Sequence, residues 1–229
     1  TIVDVKFSGL SWKGDEGFFY SSYDKPKGSS LSDKTDRHKL YYHAMGSNQK
    51  DDQLIFGGDT DEKYRYVGGS VTEDQRFLVV TASNATSGNK LFLHDFNQPQ
   101  KGFITIVGHS NSDTYVMDTQ GDNLLLSTNL EAPNKRVVKA TLDQPGPEFW
   151  QDVIPETEHV LSVSTAGGFI FAEYMVDAIS KVYQYDLKGK LIREIELPGI
   201  GSSAGFSGKL KDKTLYYSFT NYISPSSIY

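Results

Sequence analysis

A unit of about 45 residues recurs along this chain, and a chain assembled from such units has few folds open to it. A turn-rich segment followed by an apolar strand occurs at Lys13-Gly14-Asp15-Glu16-Gly17 before Phe18 and at Thr72-Glu73-Asp74-Gln75-Arg76 before Phe77. It returns at Asp118-Thr119-Gln120-Gly121-Asp122-Asn123 before Leu124, at Ser164-Thr165-Ala166-Gly167-Gly168 before Phe169, and at Lys209-Leu210-Lys211-Asp212-Lys213-Thr214 before Leu215. The strand starts are spaced by 59, 47, 45 and 46 residues. A second landmark, one basic residue entering an apolar strand, falls at Lys39-Leu40, Lys90-Leu91, Arg136-Val137 and Lys181-Val182, spaced by 51, 46 and 45. Two independent landmarks with one period and several short strands per unit predict β-propeller blades, four-stranded sheets that bury their faces only against neighbours.

Composition agrees. Fourteen Tyr, 13 Phe and 21 Gly accompany apolar runs of four to seven residues bounded by Gly, Asp, Asn, Ser or Pro, with no sustained helical periodicity. The class is all-β. Third strands are predicted at Leu40 to His43, Leu91 to His94, Val137 to Ala140 and Val182 to Tyr185. Outer strands follow at Gln53 to Phe56, Phe103 to Val107, Trp150 to Ile154 and Leu191 to Ile195. The blades divide at about 1–59, 60–109, 110–157, 158–200 and an incomplete 201–229. The extra length of the first unit lies in a Ser/Lys/Asp/Gly-rich insertion from Asp24 to Asp36. Strands of the last unit are expected at Ser203 to Ser207 and Leu215 to Thr220, with Ile228-Tyr229 standing where a third should run. Four and a half to five blades would leave open edges in a ring, so the expectation is part of a larger propeller; direct pairing of the two ends is the alternative.

Charge and cysteine content narrow the function. The formal net charge is −6, and no Lys/Arg block is dense enough to follow a phosphate backbone, so nucleic acid is not an expected partner. With no cysteine there is neither a disulfide framework nor a Cys-ligated metal site. No apolar run reaches membrane-spanning length, so no membrane association is expected. A first residue other than Met implies that something upstream was removed. The expected compartment is the cytoplasm, with the periplasm as the alternative; the absence of cysteine does not choose between them.

Several short motifs stand in one register across essentially all 229 residues: Phe7-Ser8-Gly9-Leu10-Ser11-Trp12, Lys39-Leu40-Tyr41-Tyr42-His43 with Gly46, Gly68-Gly69, Gly205-Phe206-Ser207-Gly208, and Ser224-Pro225 with Ile228-Tyr229. In these the chain resembles the propeller of the prolyl oligopeptidase family. The resemblance implies a seven-bladed propeller capping an α/β-hydrolase domain that cleaves peptides after proline. This chain would supply roughly the last five blades, and its partners would be that catalytic domain and proline-containing peptides. Animal members have Trp-Met-Gly-Gly where this chain has Tyr66-Val67-Gly68-Gly69, and Arg-Glu-Gly-Cys where it has Ala82-Ser83-Asn84-Ala85. The resemblance therefore implies interface or substrate contact at Val67, Ala82 and Ala85, without the family's charge and thiol.

No catalytic residue is assigned within the chain. Gly201-Ser202-Ser203-Ala204-Gly205 has the form of a nucleophile elbow. However, Pro198-Gly199-Ile200 precedes it in place of a buried strand, a strand pattern follows in place of a helix, and no His lies downstream. An inter-blade loop is the expectation. His38 and His43, at i and i+5, are predicted on opposite strand faces and not as shared metal ligands; His94, His109 and His159 stand alone. Asp59-Thr60-Asp61-Glu62 lacks the spacing of a calcium loop, and Asn84-Ala85-Thr86 is a formal glycosylation sequon that matters only in a secretory setting. Tyr41, Tyr42, Phe92, Tyr183, Tyr185, Tyr216 and Tyr217 read as blade-to-blade core. No cofactor or metal is expected. The functional expectation is a non-catalytic gate that admits flexible peptides and excludes folded proteins. A free-standing propeller that binds a protein or peptide on one face is the alternative.

Overall fold

The structure is a computed structural model that describes residues 1–24, 37–58 and 62–229. The insertion expected from Asp24 to Asp36 and the acidic cluster at Asp59-Thr60-Asp61 lie almost wholly outside the described residues. The described residues form nineteen strands in five antiparallel sheets, with three single 3₁₀ turns and no helix long and apolar enough to cross a membrane.

The chain forms two compact units, the first comprising residues 1–114 with 145–147 and the second the remainder. The first unit contains two four-stranded sheets in simple sequence order. Sheet one is β1 (Leu10–Lys13), β2 (Gly17–Tyr23), β3 (His38–Ala44) and β4 (Gln53–Phe56); sheet two is β5 (Tyr66–Val71), β6 (Phe77–Ser83), β7 (Lys90–Asp95) and β8 (Phe103–Val107). In β7, Leu91, Leu93 and Asp95 are buried and alternate with half-buried Lys90, Phe92 and His94, the period-two pattern of a pleated strand. Between the two sheets, Phe19, Leu40, Tyr64, Val67, Leu78, Val80 and Ala82 form one apolar cluster, flanked by Tyr42, Phe56, Phe92 and Phe103. Full burial of a side chain such as Leu40 or Leu78 contributes about 1.5–3 kcal/mol each.

Apart from Thr114, the second unit holds the other strands. Sheet three is β9 (Thr114–Gln120), β10 (Asn123–Thr128), β11 (Arg136–Thr141) and β12 (Gln151–Ile154). Sheet four is β13 (Leu161–Ala166), β14 (Phe169–Val176), β15 (Ile179–Asp186) and β16 (Leu191–Glu194). Sheet five is β17 (Ser202–Ala204), β18 (Ser218–Asn221) and β19 (Ser224–Ile228). Leu125, Val137, Ile154, Leu161, Ile170, Ala172 and Tyr174 are buried between sheets three and four; Ala166, Phe171, Val182 and Phe206 are buried between four and five. All four complete sheets carry a register shift where the third strand meets the fourth, at Leu40/Tyr41, Leu91/Phe92, Val137/Val138 and Gln184/Tyr185. Such bulges add local twist and bend the strand pair.

Details of sheet five differ from the sequence reading: the strand expected over Ser203 to Ser207 is confined to Ser202–Ala204. In sheet five the strand expected from Leu215 begins only at Ser218, and Ser224–Ile228 supplies a paired third strand. Tyr216 is 67% exposed while Tyr217 stacks on Phe206 at 4.7 Å and on Tyr229 at 5.6 Å. Neighbouring residues of an extended chain point to opposite sides, so only one of the two tyrosines reaches the core.

Candidate functional site at the hairpin of sheet two

The β5–β6 hairpin holds two of the three contact positions that the resemblance implies, and the loop after β6 holds the third. Val67 and Ala82 are register partners, 2% and 0% exposed, and both belong to the core cluster between sheets one and two. Ala85 lies just beyond the end of β6 and is exposed. Of the three, only Ala85 presents its side chain to solvent, whereas Val67 and Ala82 form the base on which the loop stands.

The backbone around this base is fixed from several sides. The Val67 N–H donates to His38 Nδ1 at 2.9 Å, and the Val67 carbonyl accepts from the Ser21 hydroxyl at 2.6 Å. The Arg65 N–H donates both to the Ser83 carbonyl (3.1 Å) and to Asn84 Oδ1 (3.0 Å), tying the start of β5 to the loop that bears Ala85. At the other end of that loop, the Gly88 N–H donates to Asp113 Oδ1 at 2.8 Å. Gly88 has φ +76°, and a Cβ there would meet the Ser110 carbonyl, so both conformation and space require glycine.

His38, at the start of β3, is 1% exposed and uses both ring nitrogens. A backbone N–H can only donate and a carbonyl can only accept. Nδ1 therefore carries the lone pair that receives Val67 N–H, and Nε2–H donates to the Lys6 carbonyl at 2.8 Å. Burial pushes its pKa below the usual 6.5, against the opposing pull of the Lys6 carbonyl. Sequence reading sets His38 and His43 on opposite strand faces and excludes shared metal ligation, but does not show what the His38 ring satisfies. The available signal was its place immediately before the repeating basic landmark.

Charged pairs surround the same hairpin. Lys90 pairs with Glu62 at 2.5 Å beneath the Tyr64 ring, and Lys39 pairs with Asp24 at 2.7 Å. The hydrogen bonds from Lys90 and Tyr64 hold Glu62 below the usual carboxylate range. Burial, reinforced by Glu62, pushes the Tyr64 phenol up.

The other histidines are spoken for separately. His43 Nδ1 lies 2.7 Å from Asp52 Oδ1, and Asp52 Oδ2 also accepts from Tyr20 OH at 2.7 Å. Burial and this carboxylate push Tyr20 up to about 12. His94 Nδ1 faces the Gly102 carbonyl, His109 accepts from Asn111 N–H, and His159 Nε2 lies 3.6 Å from Glu158. Among the described residues no group of three or more carboxylate or imidazole side chains could hold a metal ion. Ser203, the central residue of the elbow-like motif, lies inside β17 opposite Phe219 and is 6% exposed. Its hydroxyl faces Glu173 Oε2 at 3.3 Å. A nucleophile elbow needs a strand-to-helix turn that exposes the hydroxyl, whereas this serine is buried in a hairpin.

Comparison with known proteins gives a consistent result. The family model described as "Prolyl oligopeptidase, N-terminal beta-propeller domain" matches residues 1–229. A prolyl endopeptidase of Elizabethkingia meningoseptica is 55% identical over all of this chain and 32% of its own length. One of Dictyostelium discoideum is 28% identical over 98% of this chain and 33% of its own. A structure from a study of two prolyl endopeptidases and the role of inter-domain dynamics in catalysis and specificity superposes with a TM-score of 0.84. It is 26% identical and covers 99% of this chain and 33% of that one. Prolyl oligopeptidase B of Galerina marginata, bound to a 35mer hydrolysis and macrocyclization substrate, shares the fold with a TM-score of 0.83 at 22% identity, over 98% of this chain and 32% of that one. The chain thus spans about a third of the length of the curated relatives it matches.

Proposed function

The chain belongs to the prolyl oligopeptidase family as part of its N-terminal β-propeller domain, and from that premise we propose that it gates a serine peptidase that cleaves peptides after proline. Its partner is the α/β-hydrolase catalytic domain of the same protein, which supplies the nucleophile, base and carboxylate of acyl transfer. The propeller contributes exclusion: flexible proline-containing peptides pass and folded proteins do not.

The observation that carries this reading at the site is the loop after β6. Ala85 is exposed, while Arg65 and Asp113 hold the loop from either end. A peptide meeting the loop therefore meets a fixed surface, and small side chains at Ala85 and its neighbours leave room for the peptide. The paired charges at Glu62–Lys90 and Asp24–Lys39 give this face the polarity of an interface that opens and closes, in contrast to a permanent apolar one.

The decisive experiment compares the full-length protein with a form lacking the propeller on a short proline-containing peptide and a folded protein with an accessible proline. The propeller-free form should lose discrimination between them; unchanged discrimination would sink the proposal. Ala85→Trp in the full-length protein should raise KM for the peptide several-fold with kcat little changed, reporting contact at the loop.

A further inference from the structure

Three third-strand starts use one hydrogen-bonding device built from three different residues. At each, the residue at or next to the start of the third strand donates its backbone N–H to a carbonyl just ahead of the next first strand. Its side chain then accepts an N–H two or three residues further on. His38 N–H donates to the Tyr64 carbonyl (2.9 Å), and Val67 N–H to His38 Nδ1 (2.9 Å). Asn89 N–H donates to the Ser112 carbonyl (2.9 Å), and Thr114 N–H to Asn89 Oδ1 (2.9 Å). Ser180 N–H donates to the Gly201 carbonyl (3.0 Å), and Ser203 N–H to Ser180 Oγ (3.0 Å). All three strap residues are buried, at 1%, 4% and 2% exposure.

Asparagine and serine accept that hydrogen bond at every pH, but an imidazole accepts it only while neutral. We propose that His38 is an acid-sensitive positioning residue, a lock that holds the backbone at Val67 when neutral and releases it when protonated. Uptake of a proton at Nδ1 removes the lone pair and turns the ring N–H toward the Val67 N–H, donor against donor. Val67 is itself buried, so its N–H has no water to turn to. The released segment includes Arg65, whose N–H holds Asn84 and the loop bearing Ala85.

Among the described residues, the charged and titratable groups on the surrounding elements are Asp4 and Lys6 in the N-terminal segment, Tyr23 and Asp24 at the end of β2, and Arg37 and Lys39 beside His38 itself. Tyr64, Arg65 and Tyr66 lie at the start of the next sheet, where the Tyr64 carbonyl accepts from His38 N–H. The dominant influence on the ring is burial, which opposes protonation, so release requires acid. The lock rests on this geometry alone; only its consequence for peptide binding rests on the function proposed above.

The test uses the full-length protein as wild type, His38→Asn and His38→Ala. Hydrogen–deuterium exchange is followed by mass spectrometry in a peptide spanning Arg65 to Val71, between pH 7.5 and 5 and corrected for intrinsic exchange. His38→Asn installs the acceptor that the second sheet already uses at Asn89. Wild type should lose protection at least tenfold on acidification, His38→Asn should stay protected throughout, and His38→Ala should be unprotected throughout. An equal acid-induced loss in wild type and His38→Asn overturns the proposal, as does a wild type whose protection does not change. Should His38→Ala fail to fold, the wild-type and His38→Asn profiles decide alone. Nitrogen NMR of the His38 ring gives a second readout: the Nε2–H tautomer at pH 7.5 is expected, and an Nδ1–H tautomer or imidazolium there also overturns it.

Discussion

The junction between sheets one and two and the junction between sheets four and five answer the same geometric problem with chemistry that responds oppositely to acid. At the first, His38 is buried neutral with its pKa depressed. At the second, Ser180 holds Ser203, while Glu173, whose carboxylate faces the Ser203 hydroxyl, has its pKa raised by burial, only partly offset by that hydrogen bond. A depressed imidazole gives stability that is complete above 6.5 and is lost as pH falls from there toward the folded-state value. A raised carboxyl pKa works the other way: its contribution is complete below 4.5 and is lost as pH rises through the folded-state value. A repeated backbone device thus leaves the side chain free to set how each junction senses pH.

The largest effect should come from removing packing rather than a strap. Phe206 is stacked against Phe171 at 5.8 Å and Tyr217 at 4.7 Å, and Phe206→Ala should cost about 3–5 kcal/mol in urea denaturation. A loss below 1 kcal/mol would mean that the four–five junction is not held by its apolar cluster. Next, His38→Ala leaves a buried N–H at Val67 without a partner and should cost about 1–3 kcal/mol at neutral pH. Ser180→Ala should cost about 1 kcal/mol by the same route, and a change of acid sensitivity in the Ser180 variant would break the contrast between the junctions. Smallest is Glu173→Gln, which mimics the protonated carboxyl. Exchange protection at the four–five junction should rise modestly at pH 7 and no longer improve as pH falls toward 4.5. Reduced protection at pH 7 would reverse the assigned sign.

Much of the architecture was legible because periodicity survives substitution. The basic residues Lys39, Lys90, Arg136 and Lys181 mark third strands in four sheets, and the alternation in Lys90-Leu91-Phe92-Leu93-His94 is the burial alternation of β7. Tyr216 and Tyr217 were not separable in sequence, since two adjacent aromatics carry no phase without the start of β18. The site was less legible. Val67, Ala82 and Ala85 were reached by motif correspondence, and nothing in those residue types says that two are buried and one exposed.

The straps were hidden for a related reason. His38, Asn89 and Ser180 share no side-chain class, only an acceptor atom at a similar height, and a search by residue type passes over them. Their positions, immediately before the basic landmarks, were present in the sequence all along. By itself the sequence determined the strand period, the all-β class and the places where sheets begin and turn, because those follow from local alternation and turn chemistry. Only the tertiary structure decided which buried N–H meets which side chain. That pairing joins Val67 to His38, 29 residues apart, and so sets the tautomer of the ring and the direction in which acid acts on it.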